Sequence, residues 1–309
     1  YGGALKPGDA LTAHPKICPD TGDLISCTQR WDSPNYWVQV FDAKGVHKQS
    51  MEVQFPRKGI IHDLQITANY VVIFYAPAWH SVERAMKGED PFMWEPELGT
   101  KIIAIPRDGS GNNIEFETES FFSWHFCNGF EEGGKIVIDY VWINSIPFTQ
   151  AQGTGVEKQP RRMYRMTLDP ATRAVTNERF SEVFCEFSRV DERRMGKSYR
   201  YGFATCTNRD WGDAHGYNCT GSFDIETGDV ALWEYGEAAN AGEPVHVPNP
   251  DSDREEDGWV MCYVHNPGEG PFLSIIRAGD VAAGPVAKIH IPGRVPNGFH
   301  ANWMQGLTL

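Results

Sequence analysis

The sequence is short of helical signal. Few segments of its 309 residues place apolar side chains at i, i+3 and i+4 over three turns, and only residues 81–87 fit a short helix. Long apolar runs are also missing. A membrane-spanning helix needs about 20 such residues, whereas residues 71–75 (VVIFY) have the length of a strand. There is no C-x-x-C pair. The cysteines, Cys18, Cys27, Cys127, Cys185, Cys206, Cys219 and Cys262, are odd in number and sit in a chain too long to need staples, so they read as reduced thiols. That fits a reducing compartment, and the expected location is cytoplasmic. A basic stripe is lacking too: 28 Lys and Arg against 41 Asp and Glu give a net charge of −13. This argues against a nucleic-acid partner and leaves solubility as the plain reading of the charge. No signal peptide, linker or low-complexity stretch is visible, although the first residue is Tyr1. Residues 1–309 are therefore expected to form one domain, with polar loops at 151–159 and 251–257.

What recurs is a short strand, a polar turn and another short strand. Turn chemistry built from Asp, Pro, Thr and Gly appears at residues 19–23, 42–45, 169–173, 224–229 and 255–258. Between such turns lie strand-like runs at 36–41, 70–75, 101–105, 135–141, 163–168, 221–225, 259–264 and 272–276. Many short strands at this spacing specify an all-β sandwich, barrel or propeller, and a propeller with irregular blades suits this length best.

Four of the ten histidines share a setting. His14, His62, His125 and His300 are each flanked by apolar or small residues at a strand end or beside a tight turn. His125 is the extreme case, set in the aromatic run 121–126, where an unpaired imidazole costs about 1–3 kcal/mol. A radial fold would bring four such distant residues together, since the inner strands of a propeller face one axis. Four neutral imidazoles would make an all-nitrogen site suited to Fe, Cu, Ni or Zn. Catalytic zinc takes three protein ligands and structural zinc favours thiolates, so open positions on an all-histidine site fit Fe(II) and dioxygen better. The plain alternative is four satisfied core or turn histidines. Glu186 and Glu243 also stand in apolar surroundings. Each is read as the carboxylate that takes the second N–H of a metal-bound imidazole, as a plain half-buried strand residue, or as the partner of an arginine. His47 reads as a turn residue, His80 and His215 as loop residues and His290 as a strand residue. Trp31, Trp79, Trp124, Trp142, Trp211 and Trp303 read as packing.

Six blocks carry a resemblance. They are LTAHPKICPDTGDL at 11–24, IIHDLQITANYVVIF at 60–74, FSWHFCNGFEE at 122–132, CEFSRVD at 185–191, GEPVHVP with EEDGWVM at 242–261, and NGFHANW at 297–303. In this order the chain resembles the carotenoid cleavage oxygenases, a family that includes lignostilbene dioxygenases. The resemblance implies a seven-bladed β-propeller with Fe(II) on its axis, held by His14, His62, His125 and His300, with Glu186 and Glu243 behind them. It implies cleavage of a C=C bond in a carotenoid, apocarotenoid or stilbenoid by O2, giving two carbonyl products. The partners are then a conjugated apolar small molecule and O2, and the family's apolar entrance patches allow peripheral membrane contact. The alternatives are a non-catalytic propeller scaffold and an iron-dependent, non-oxidative isomerase of the same family. Several departures accompany the match. The family carries a further glutamate about thirty residues before its first histidine, and only 13 residues precede His14 here. One or two N-terminal blades are therefore expected to be missing, leaving this length alone poorly soluble or inactive. Ser188 stands where the family commonly has Pro, and Ala301-Asn302 where Gly-Thr is common. His246 and His265, where aromatics are frequent, read as non-ligands.

Overall fold

The structure is a computed structural model that describes residues 5–30, 32–146, 161–209, 216–296 and 298–304. Trp31, the loop at 151–159, Trp211, His215 and Asn297 lie outside the described residues. The chain is nearly all β, as expected. It divides into two compact units: 1–159 with 165–178 and 195–198, and 160–164 with 179–194 and 199–309. The division runs through the two strands Arg162–Leu168 and Val175–Val190.

The first unit is built from antiparallel meanders. In one, strand Leu24–Arg30 pairs with Asp9–Leu11, Lys16–Ile17 and Tyr36–Phe41, and the last of these pairs with His47–Val53. In the next, Gln65–Ile66 pairs with Tyr70–Tyr75, which pairs with Thr100–Pro106, which pairs with Ile114–Thr118. A third begins with Phe126–Glu132 paired to Lys135–Trp142. The β-branched runs in Tyr70–Tyr75 and Thr100–Pro106 put Val71, Ile73, Ile103 and Ile105 into a core shared with Ile25 and Val38. Burying such side chains contributes roughly 1.5–3 kcal/mol each.

Turn chemistry explains the tight connections. At 19–23, Gly22 takes a φ of 71° and donates its N–H to the Cys18 carbonyl. Residues 81–87 give the expected short helix, Val82–Met86, whose Ser81 hydroxyl caps the Arg84 N–H. His47 is a strand residue rather than a turn residue, with Nε2 2.9 Å from Gln39 Oε1. His80 ends the short strand Ala78–His80 rather than lying in a loop.

In the second unit, Val175–Val190 pairs with Tyr201–Thr207, followed by Cys219–Asp224 and Val230–Glu234. A further sheet pairs Trp259–Asn266 with Asn240–Ala241, Val245–Val247 and Gly270–Arg277, and Gly270–Arg277 with Pro285–His290. Its core includes Phe203, Val260, Phe272 and Ile276. All seven cysteines are buried and none forms a disulfide, in line with the sequence reading.

Two residues of the third histidine block tie the first unit together. Asn128 Oδ1 accepts from Gln65 Nε2 (3.0 Å) and the Gly196 N–H (3.1 Å), and its amide donates to the Lys197 carbonyl. Glu131 accepts from the Thr67 hydroxyl (2.6 Å), the Asn69 N–H (2.7 Å) and the Asn69 side chain (2.8 Å). The Thr-x-Asn-Tyr sequence of the second block is thus the socket for a glutamate of the third. Glu131→Ala is expected to destabilise the protein by roughly 1.5–3 kcal/mol, the range for hydrogen bonds to a charged group, read as a lower denaturation midpoint. A change below about 0.5 kcal/mol, the scale of neutral surface substitutions, would show that the clasp is dispensable.

Candidate metal centre

Three of the four histidines occupy the same place in three successive meanders. His14 stands two residues before strand Lys16–Ile17, His62 three before Gln65–Ile66, and His125 one before Phe126–Glu132. That repeated placement is why residues separated by 48 and 63 positions meet in space. Ligand nitrogens of His14, His62 and His125 lie within 4.8 Å of one another. The Nε2 atoms of His14 and His62 are 3.0 Å apart. The ring centroids are separated by 4.6 Å (His14–His62), 4.9 Å (His14–His125) and 5.3 Å (His62–His125). His125 is buried, and His14 and His62 are half-buried.

The donor set fits a metal. Nitrogens bound to one ion at about 2.0–2.1 Å and at right angles to each other stand about 3.0 Å apart, which is the separation of the two Nε2 atoms. The rings approach with tilted or edge geometry, at interplanar angles of 58–74°, rather than stacking face to face. Neutral imidazoles arranged in this way suit Fe, Cu, Ni or Zn.

Asp63 holds the three together. Its carboxylate is almost wholly buried. Oδ1 is 2.8 Å from Lys16 Nζ and accepts from the Leu64 N–H at 2.7 Å, and Oδ2 accepts from the Phe126 N–H at 3.0 Å. Lys16 follows His14 by two residues, Asp63 follows His62 by one, and Phe126 follows His125 by one. One side chain therefore bridges the segments that carry all three imidazoles. Burial works to raise the Asp63 carboxyl, but the charge of Lys16, the neighbouring His14 and the bonds from Lys16 and Phe126 outweigh it, so the group is held below its ordinary value and stays ionised. Further ties support the arrangement. The Thr12 hydroxyl donates to the His62 carbonyl (2.5 Å) and accepts from the His14 N–H (3.3 Å). The Val141 N–H donates to the His125 carbonyl at 3.0 Å. Trp124, expected to be packing, packs edge-on against the His62 ring with centroids 4.8 Å apart.

His300 belongs to the second unit and has its own support. Its Nδ1 lies 3.2 Å from Glu243 Oε1, and Glu243 Oε2 accepts from the Ala301 N–H at 2.7 Å. An acceptor on Nδ1 fixes the proton there and leaves Nε2 with its lone pair. Glu243 also meets Arg189, whose Nη1 is 3.2 Å from Oε2 and donates to the Ala301 carbonyl at 3.0 Å. Glu243 thus contacts both His300 and Arg189. Burial tends to raise its carboxyl, and the His300 bond, the Arg189 charge and the Ala301 N–H together hold it below its ordinary value.

Glu186 is buried, and its Oε2 accepts from the Phe187 N–H at 2.6 Å. Arg161 and Tyr217 lie within its electrostatic reach. His246 is buried in the second unit, stacked on Phe203 with Nε2 2.9 Å from the Glu255 carbonyl. His265 lies in strand Trp259–Asn266.

Lys16, Thr12 and Arg189 carried no role in the sequence reading. The available hints were a carboxylate inside the apolar run 60–66 and a lysine two residues after His14. Nothing local says that the two meet.

The family described as retinal pigment epithelial membrane protein matches residues 1–305. The chain belongs to this family, that of the carotenoid cleavage oxygenases. Among curated relatives, isoeugenol monooxygenase of Pseudomonas nitroreducens is 32% identical over 311 residues, covering 95% of this chain and 65% of that protein. Apocarotenoid-15,15'-oxygenase of Synechocystis sp. is 29% identical over 324 residues, with coverages of 98% and 65%. The chain therefore spans 65% of the length of these relatives. Cobalt-substituted Synechocystis ACO superposes with a TM-score of 0.90 at 27% identity, over 98% of this chain and 67% of that one. Pseudomonas brassicacearum lignostilbene dioxygenase gives 0.88 at 27% identity, over 96% and 66%. As in its family, the chain has a propeller-type all-β fold. Among the described residues no helix is long and apolar enough to cross a membrane.

Asp63→Asn keeps the size of the side chain and removes its charge. It is expected to weaken metal affinity about 10–100-fold, as changes behind metal ligands typically do, measured by competition with a chelator. Parent-like affinity would mean that other contacts hold the three rings.

Proposed function

We propose that the protein is a non-haem Fe(II) dioxygenase that cleaves a C=C bond of a carotenoid, apocarotenoid or stilbenoid. The observation that carries the proposal is the imidazole cluster of His14, His62 and His125, whose ligand nitrogens lie within 4.8 Å of one another. His300 is the fourth ligand in this reading, supported by its Nδ1 contact to Glu243 and by its place in the last family block. Glu243 orients the ring of His300, and Glu186 is assigned the same task for another ligand ring. The relatives' names support the substrate class: they act on isoeugenol, apocarotenoids and lignostilbene. The chain is read as a single propeller domain of seven-bladed type.

Neutral imidazoles cancel none of the cation's charge, so the site keeps the full +2 and open positions. Bound Fe(II) supplies the redox chemistry with O2. The overall change is balanced without an external reductant, since one alkene and one O2 give two carbonyl products. The protein's part is to fix the ligand rings, to keep each bound nitrogen deprotonated and to hold the alkene beside the site. Asp63 and Glu243 serve the first two tasks through the contacts described above.

The test uses the intact protein loaded with Fe(II) and supplied with 18O2 and a stilbenoid or apocarotenoid. Both carbonyl products are expected to carry label, and His125→Ala is expected to abolish iron binding and O2 consumption together. Turnover retained in His125→Ala would refute the assignment. A rearranged but uncleaved product without label would show an isomerase, and absence of stoichiometric metal would show a binding scaffold.

A further inference from the structure

Two non-glycine residues among those described have a positive φ: Arg173 at 66° and Phe187 at 53°. Arg173 closes the Asp169 turn, where its N–H donates to the Asp169 carbonyl, an ordinary use of that conformation. Phe187 is different, because it lies inside strand Val175–Val190. Glu186 pairs with Thr205 and Arg189 with Phe203, so Phe187 and Ser188 together face the single Ala204. This is a bulge whose left-handed position is normally glycine, and a bulky side chain there is an outlier that the surroundings must hold in place.

The bulge aims three groups. At its start the Phe187 N–H donates to Glu186 Oε2 at 2.6 Å. The left-handed backbone places the Phe187 ring edge-on to the His300 ring, with centroids 5.4 Å apart at 70°. After the extra residue, Arg189 reaches Glu243, the Ala301 carbonyl and Asn302 Oδ1. His300 is thereby gripped on two sides, by Glu243 at Nδ1 and by an aromatic ring against its own. A glycine would relax the backbone but would leave the second side open, and the His300 side chain is 25% exposed.

We infer that Phe187 is a positioning residue, held in a left-handed bulge so that its ring fixes the orientation of His300 toward the metal. The inference rests on the proposed reading of His300 as a ligand. In that case Phe187→Gly removes the clamp while keeping the backbone path, and Phe187→Tyr preserves it.

The test is Co(II) binding by the intact protein, followed through the visible spectrum of the bound ion, with folding checked by circular dichroism. Phe187→Gly is expected to weaken Co(II) binding by about 10-fold, the lower end for changes behind metal ligands, and to alter the spectrum. Phe187→Tyr is expected to restore both. Phe187→Leu, which keeps an apolar side chain of similar bulk, is expected to alter the spectrum as Phe187→Gly does and covers the case in which the glycine variant does not fold. A folded Phe187→Gly or Phe187→Leu protein with parent affinity and spectrum overturns the inference. His300→Ala separates the two levels. If it alters Co(II) binding while the Phe187 variants do not, the ligand reading stands and the positioning role fails. If His300→Ala changes nothing, His300 is not a ligand and the inference falls with it.

Discussion

The carboxylate of Asp63 is the constraint on which the candidate centre depends. Three imidazoles with nitrogens within 4.8 Å of one another are not a state that a chain adopts freely. Each must give up hydration, and two Nε2 atoms face each other at 3.0 Å. What offsets this is a buried anion that binds the segment beside each ring: Lys16 next to His14, its own backbone next to His62, and the Phe126 N–H next to His125. A buried charge is costly when unpaired and useful when every lone pair has a donor. Asp63 draws three donors onto its two oxygens, an ammonium and two backbone N–H groups.

The fold makes this possible by repetition without sequence repeat. Each of the three histidines stands one to three residues before a strand of its meander, so one local rule, applied three times, brings three imidazoles to one place. The second unit uses different means. There the work falls to a bulged strand and to the Arg189–Glu243–His300 chain, in which one carboxylate sets the tautomer of a ring and also anchors the backbone at Ala301. Asn128 and Glu131, conspicuous in the third block, are braces for the first unit and not part of the centre.

Much of this was legible in the sequence, for definable reasons. Turns such as 42–45 carry their geometry in their own side chains: Asp42 accepts from the Lys44 and Val46 N–H groups. Strands such as Tyr70–Tyr75 are buried on both faces and read as continuous apolar runs. Strands His47–Val53 and Ile114–Thr118 escaped the reading because their outward residues are charged or polar and their inward ones few. The candidate ligand histidines stood out through their apolar settings. Their supports did not, because the Lys16–Asp63 and Arg189–Glu243 contacts join residues 47 and 54 positions apart and leave no local pattern. The left-handed backbone at Phe187 was invisible for the opposite reason: the residue type argues against it.

Crystallography of the intact, iron-loaded protein with anomalous scattering at the iron edge tests the central claim most directly. The account predicts one iron with Nε2 of His14, His62, His125 and His300 at about 2.0–2.2 Å, the usual metal–imidazole range, and Asp63 still on Lys16 and the Phe126 N–H. Iron bound through Asp63, iron bound elsewhere, or three histidines engaged with His300 turned away would contradict it.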